Sequence, residues 1–144
     1  MHKYLYLIVI SLFIVGCSNQ KNLSNTFSDN VISIEINALY DTNENITLNI
    51  YNKGPSTVSY GSPYTIEVFR DGQWVELPFI EDLAWLSNSV LLPPNENHNS
   101  SISFKHLDAD IIQGQRYRVI KTFSKEDRQR KITLAAEFIV SDDN

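Results

Sequence analysis

Beyond residue 30, apolar and polar side chains alternate with a period of two, the mark of strands with one buried face. In Val31–Ala38 the residues Ile32, Ile34, Ile36 and Ala38 fall on one side, against Ser33, Glu35 and Asn37 on the other. After a polar turn at Asp41–Asn45, Ile46, Leu48 and Ile50 alternate with Thr47, Asn49 and Tyr51. Asn52-Lys53-Gly54-Pro55 breaks that run, since glycine frees the backbone and proline removes a donor. A short strand is expected at Val58–Gly61. Thr65–Arg70 and Gln73–Leu77 flank Asp71-Gly72, a two-residue hairpin signal in which both turn positions take positive φ. Residues 79–89 are irregular and carry Trp85. Val90–Leu92 stops at Pro93-Pro94, and His98–Phe104 reads as a strand with Ile102 and Phe104 inward. Tyr117–Phe123 and Lys131–Val140 complete the series across the charged loop Ser124–Arg130.

Eight or nine short strands with regular turns, and no amphipathic helix, predict an all-β sandwich. Ile111–Tyr117 has the layout of a tyrosine corner, in which a tyrosine opening a late strand bonds back to upstream backbone. Ile34, Leu48, Ile50, Trp74, Phe104, Tyr117, Leu134 and Phe138 are the expected buried positions. Trp74 and Trp85 are read as filling a core that has no disulfide.

The first thirty residues follow other rules. Lys3 gives a positive start, and Tyr4–Val15 is apolar apart from Ser11. Twelve residues make about 18 Å of helix, short of a hydrocarbon core of roughly 30 Å, as in a signal peptide. Ile14-Val15-Gly16-Cys17 resembles a bacterial lipobox, which implies a signal peptide over 1–16 and lipid on the Cys17 thiol. Residues 17–30 are then the lipidated cysteine and a polar tether, with Phe27 able to dock, and 31–144 the domain. The thirteen residues 18–30 reach roughly 20 Å as a flexible chain. Two or three acyl chains on one residue suffice for stable anchoring. The expected location is the extracytoplasmic face of the cell membrane.

Residues 46–140 resemble the bacterial immunoglobulin-like domain of many small Gram-positive lipoproteins. The matching pieces are Asn52 ending an early strand, Tyr60-Gly61, Tyr64-Thr65-Ile66-Glu67 and Asp71-Gly72-Gln73-Trp74-Val75. They continue with Leu92-Pro93-Pro94, Gly114–Lys121 and Ala135-Ala136-Glu137-Phe138-Ile139. Asn95 departs from the family, whose turn after the prolines usually carries glycine, and leaves the turn type open. The resemblance implies a single immunoglobulin-like sandwich of about 7–9 strands, with no catalytic residue and no agreed ligand.

Composition narrows the functional classes. The 144 residues suffice for one domain. Removing residues 1–16 takes away Lys3 and moves the net charge from −5 to −6, against a nucleic-acid partner, which needs a basic footprint. Cys17 is the one cysteine, so the domain has no thiolate nucleophile or cysteine metal site. No zinc-protease, nucleophile-elbow or phosphate-loop motif occurs, and no cofactor is expected. His98 and His106 are read as solvated loop residues, and His106 with Asp108 and Asp110 as a polar loop rather than a metal site. Arg116, Arg118, Lys121, Lys125, Arg128, Arg130 and Lys131 crowd one segment. Lys125, Arg128, Arg130 and Lys131 are the candidate contacts with an anionic surface, or a solvated edge that discourages pairing. The functional expectation is a non-catalytic binding or accessory module with a protein or cell-wall partner. The alternatives are a protease inhibitor acting through loops near 53–63 and 124–130, and an enzyme.

Overall fold

Ile34 and Ile36 on one strand and Ile46, Leu48 and Ile50 on the next point the same way, and all five are buried. Each such side chain contributes about 1.5–3 kcal/mol on leaving water. The computed structural model describes residues 21–41, 45–81, 83–125 and 130–141, and builds this shared face into a two-sheet sandwich. One sheet holds β1 (Thr26–Ser28), β2 (Ser33–Asp41), β3 (Asn45–Asn52) and β8 (Asn97–Ser103), in the order β1-β2-β3-β8. The other runs β6 (Gln73–Glu76), β5 (Thr65–Arg70), β9 (Arg116–Lys125), β4 (Val58–Gly61) and β7 (Ser89–Leu92), with β10 (Lys131–Ile139) also paired to β9. All strand pairs are antiparallel.

β9 is the spine of the second sheet. One edge pairs with β10 from Ser124↔Lys131 to Arg116↔Ile139. Its other edge is shared: β5 takes Tyr117 to Ile120, and β4 takes Phe123 to Lys125. Residues 62–64 leave the ladder between these partners, opposite Lys121 and Thr122. Pro63, which has no N–H to donate, makes that break necessary.

The turns follow their residues. Asp71 and Gly72 have φ of 49° and 77° and join β5 to β6 directly. Asn95 holds φ 62° where the family turn carries glycine, and its N–H donates to the Asn52 carbonyl at 2.8 Å. Asparagine tolerates the left-handed region better than other side chains, so the turn survives the departure. Tyr117 is fully buried, and its hydroxyl accepts from the Ile112 N–H at 2.8 Å, closing the expected tyrosine corner. Tyr117→Phe should strand that N–H and lower stability by about 1–2 kcal/mol. A urea midpoint that does not fall, with circular dichroism unchanged, would remove the bond from the account.

The ordered chain begins earlier than residue 31. The Ser24 carbonyl accepts from Ala135 on β10 at 2.9 Å, and the Asn25 carbonyl from Ile36 on β2 at 2.9 Å. The chain then pairs as β1, with Phe27 opposite Ile34 and packed against the core. Asp29 ends the strand by accepting from Val31 and Ile32 N–H at 2.8 and 2.7 Å. These bonds hold its carboxyl below the usual range. The segment spans the edges of both sheets, so residues 24–30 belong to the sandwich rather than to a tether. Its polar residues face solvent from an edge strand, which is why composition alone suggests a linker.

Of the eight expected buried positions, all but Trp74 lie in the core. Trp74 is partly buried on the edge strand β6, outside the core, edge-on to Phe69 at 5.0 Å, with the Arg118 guanidinium 4.5 Å from its ring centre. Trp85 is also only partly buried and packs edge-on against Tyr64 and Phe79. Aliphatic side chains and Tyr117, Phe123, Phe104 and Phe138 fill the interior instead.

Candidate functional site

Strand alternation sends Tyr117, Val119, Lys121 and Phe123 of β9 into the sandwich, and all four are buried. Lys121 is the polar member of an otherwise hydrophobic row. On the facing sheet, β8 pairs His98, Ser100 and Ile102 with Ile50, Leu48 and Ile46, which turns those three toward the interior as well. Tyr60 reaches in from β4. Lys121, Tyr60, His98, Ser100 and Ile102 line a cavity of about 400 Å³ at the side of the sandwich, walled further by Tyr64 and Trp85. The Ser62 hydroxyl bonds the Leu86 carbonyl and the Asn88 side chain, tying the β4–β5 break to this wall.

The break explains the lysine. No β9 residue pairs with Gly61, Ser62 or Pro63, and Lys121 Nζ donates to their carbonyls at 2.8, 3.4 and 3.3 Å. Nζ also lies 5.2 Å from the centre of the Tyr60 ring, a cation–π contact. Burial disfavours the charged amine and pushes its pKa down to about 8. The same cause pushes the Tyr60 phenol up to about 12 and raises Tyr64. The Tyr60 hydroxyl and His98 Nδ1 share a hydrogen bond across the sheets. Among the described residues, no Asp or Glu lines the cavity.

The basic segment does not form one face. Arg118 is buried against Glu67, and Lys121 points inward. Arg116 pairs with Glu137 at 3.3 Å and stacks on Phe69. Arg130 pairs with Asp29 and lies 5.0 Å from the Phe27 ring, so it fastens β1 to the hairpin. Lys125 is partly buried at the end of β9, opposite Val58, and Lys131 is exposed at the start of β10. Cys17 and Arg128 lie outside the described residues. His98 is exposed as expected, but it lies in a strand and is bonded to Tyr60 rather than sitting in a loop. His106 is exposed in a single 3-10 turn. Among the described residues, no group of three or more His, Cys, Asp or Glu is placed to hold a metal. In the 53–57 loop Gly54 is buried and donates to Asn52 Oδ1 at 3.0 Å, while Lys53 and Pro55 are exposed.

Alternation parity pointed to Lys121 as an inward residue beside Tyr117, Val119 and Phe123. Summing charge over 116–131 concealed it. The meeting of Lys121 with His98 depends on how the sheets face each other, which no local pattern carries.

Two antiparallel sheets, a tyrosine corner and a spine strand shared by split partners define an immunoglobulin-like sandwich. A family model described as bacterial Ig-like domain matches residues 26–139, and the chain belongs to that family. No curated protein matches it. Among solved structures, the archaellum periplasmic stator protein FlaG from Sulfolobus acidocaldarius is 18% identical, with 75% of this chain and 100% of that chain covered, at a TM-score of 0.47. A chain of the complex of FlaF and FlaG from the same organism is 18% identical, covering 94% and 100%, at a TM-score of 0.45. Neither likeness bears on activity.

Proposed function

We propose that this protein is a lipid-anchored surface module: Cys17 carries the acyl chains, and the Ig-like domain is a non-catalytic binding or accessory unit on the extracytoplasmic face of the membrane. The extent of the family match carries this reading, since one Ig-like domain accounts for residues 26–139 and the lipobox-like run lies just upstream. The chemistry of the cavity supports the non-catalytic part. Lys121 donates to three carbonyls and His98 Nδ1 is bonded to Tyr60, so neither is placed as a free general base. The partner is a protein or a cell-wall component.

Mass spectrometry of the membrane fraction should find an acylated Cys17 at the N-terminus of the mature chain. Cys17→Ala should leave the precursor uncleaved or release the protein to the medium. An unmodified Cys17 within an intact membrane-bound chain would defeat the anchor.

A further inference from the structure

Inward positions between packed sheets call for apolar side chains. Here Lys121 and Tyr60 are buried beside one cavity, with Ser100 partly buried and His98 exposed at its rim. The carbonyls at 61–63 account for Lys121, but they ask nothing of His98 or Ser100. Such a local departure from an otherwise consistent pattern marks a functional place in a fold.

The chemistry of the walls selects the ligand. The chain carries a net charge of −5, yet the described lining holds an ammonium, two imidazoles and no carboxylate. A cationic ligand would meet Lys121 without compensation. A phosphate ester is best held by several convergent N–H donors or an arginine fork. Among the described residues, this cavity offers one ammonium and no arginine. A single negative charge is the match. Beside the polar end stand Trp85 and Tyr64, ring centres 4.9 Å apart and nearly perpendicular, a surface suited to an apolar body. The volume of about 400 Å³ is within the range of small-molecule sites. His98 is exposed at the mouth, which gives the route of entry.

We propose that this cavity binds a small organic carboxylate, its charge toward Lys121 and His98 and its apolar body against Trp85 and Tyr64. The inference rests on the reading of the domain as a binding module and names the chemistry it recognises.

The test uses the chain from Ser18 onward, which retains every described residue, in a Trp74→Phe background so that Trp85 alone reports by fluorescence. Benzoate, benzamide and benzylammonium are the probes. Benzoate should give a saturable change in Trp85 emission with a midpoint of about 1–10 mM. Benzamide should bind at least about tenfold more weakly, the loss of one charge contact, and benzylammonium should give no response. Lys121→Met should weaken benzoate binding at least tenfold with near-ultraviolet circular dichroism unchanged. If that variant does not fold, Ser100→Leu decides: it fills the cavity from β8 without touching the lysine's carbonyls, and should weaken benzoate to the same degree. Equal responses to benzoate and benzamide, no saturable response to benzoate, or a benzoate response that survives in a folded variant would overturn the proposal. Lipid on Cys17 is measured separately, so failure here and failure of the anchored-module reading are distinguishable.

Discussion

Asn52→Ala is expected to lower the unfolding free energy by about 3–5 kcal/mol, a large share of the total for a small domain. The side chain is fully buried at the end of β3. Its Nδ2 donates to the carbonyls of Ser56 at 2.8 Å and Leu92 at 2.9 Å, and its Oδ1 accepts from the Gly54 N–H at 3.0 Å. Its backbone takes in the next turn as well, donating to Glu96 at 3.0 Å and accepting from Asn95 at 2.8 Å. One asparagine therefore joins the first sheet to the start of β4 and the end of β7. Alanine removes the three side-chain bonds and leaves their partners away from water, where each lost partner costs about 1–3 kcal/mol. Gly54 allows the approach, because a Cβ there would stand 2.5 Å from the backbone nitrogen of Ser33. Lys53→Ala, which removes a surface pair with Glu35 and a surface cation–π contact with Tyr51, is the control and should barely move the urea midpoint. Equal midpoints for the two variants would refute the role given to Asn52.

The buried lysine should give the domain an unusual alkaline profile. An unfolded chain keeps the Lys121 proton up to the ordinary lysine value of 10.5, whereas the folded chain releases it at about 8. Between those values the unfolded state binds more protons, so stability rises with pH. The full rise is about 3 kcal/mol, following 1.36 kcal/mol per pKa unit. Tyr60 acts in the opposite sense. Its folded pKa is raised from 10.0 to about 12, so its contribution is complete below pH 10 and is lost as pH climbs toward 12. Urea unfolding of the wild type relative to Lys121→Met, from pH 7 to 11, should show the rise between 8 and 10. A Tyr60→Phe comparison should isolate the fall above 10. Parallel profiles for wild type and Lys121→Met across pH 8–10 would show that the amine does not change its proton affinity on folding.

The legible parts of this chain were those governed by local rules. Ile46, Leu48 and Ile50 could be placed on one buried face because period-two alternation is a property of the strand itself. Asp71-Gly72 and Ile111–Tyr117 could be read because a turn or a corner needs particular residues at adjacent positions. β1 escaped that reading because Thr26, Phe27 and Ser28 are too few to show a period, and their neighbours are polar. Trp74 was misplaced for a different reason. Size and hydrophobicity argue for burial, but β6 is an edge strand, and Arg116 and Arg118 cover the indole from outside. The cavity is non-local in the same way. His98, Tyr60 and Lys121 lie far apart in the chain, and only the facing of the two sheets makes them neighbours.

The seam made by residues 21–28 bears on how the domain would carry a load. With Cys17 held at a membrane, any pull reaches residues 21–28 before the rest of the sandwich. Their grip is discrete: the Ser24 and Asn25 carbonyls, the short β1 ladder and the Arg130–Asp29 clasp. These fasteners would open in turn from the N-terminal end, while the long β9–β10 ladder stayed shut. Peeling residues 21–32 away would pay out roughly 40 Å of slack at 3.3–3.6 Å per residue. If Cys17 is so anchored, these residues would give the domain a reserve of reach, released under tension and recovered when Phe27 returns to its seat on the core.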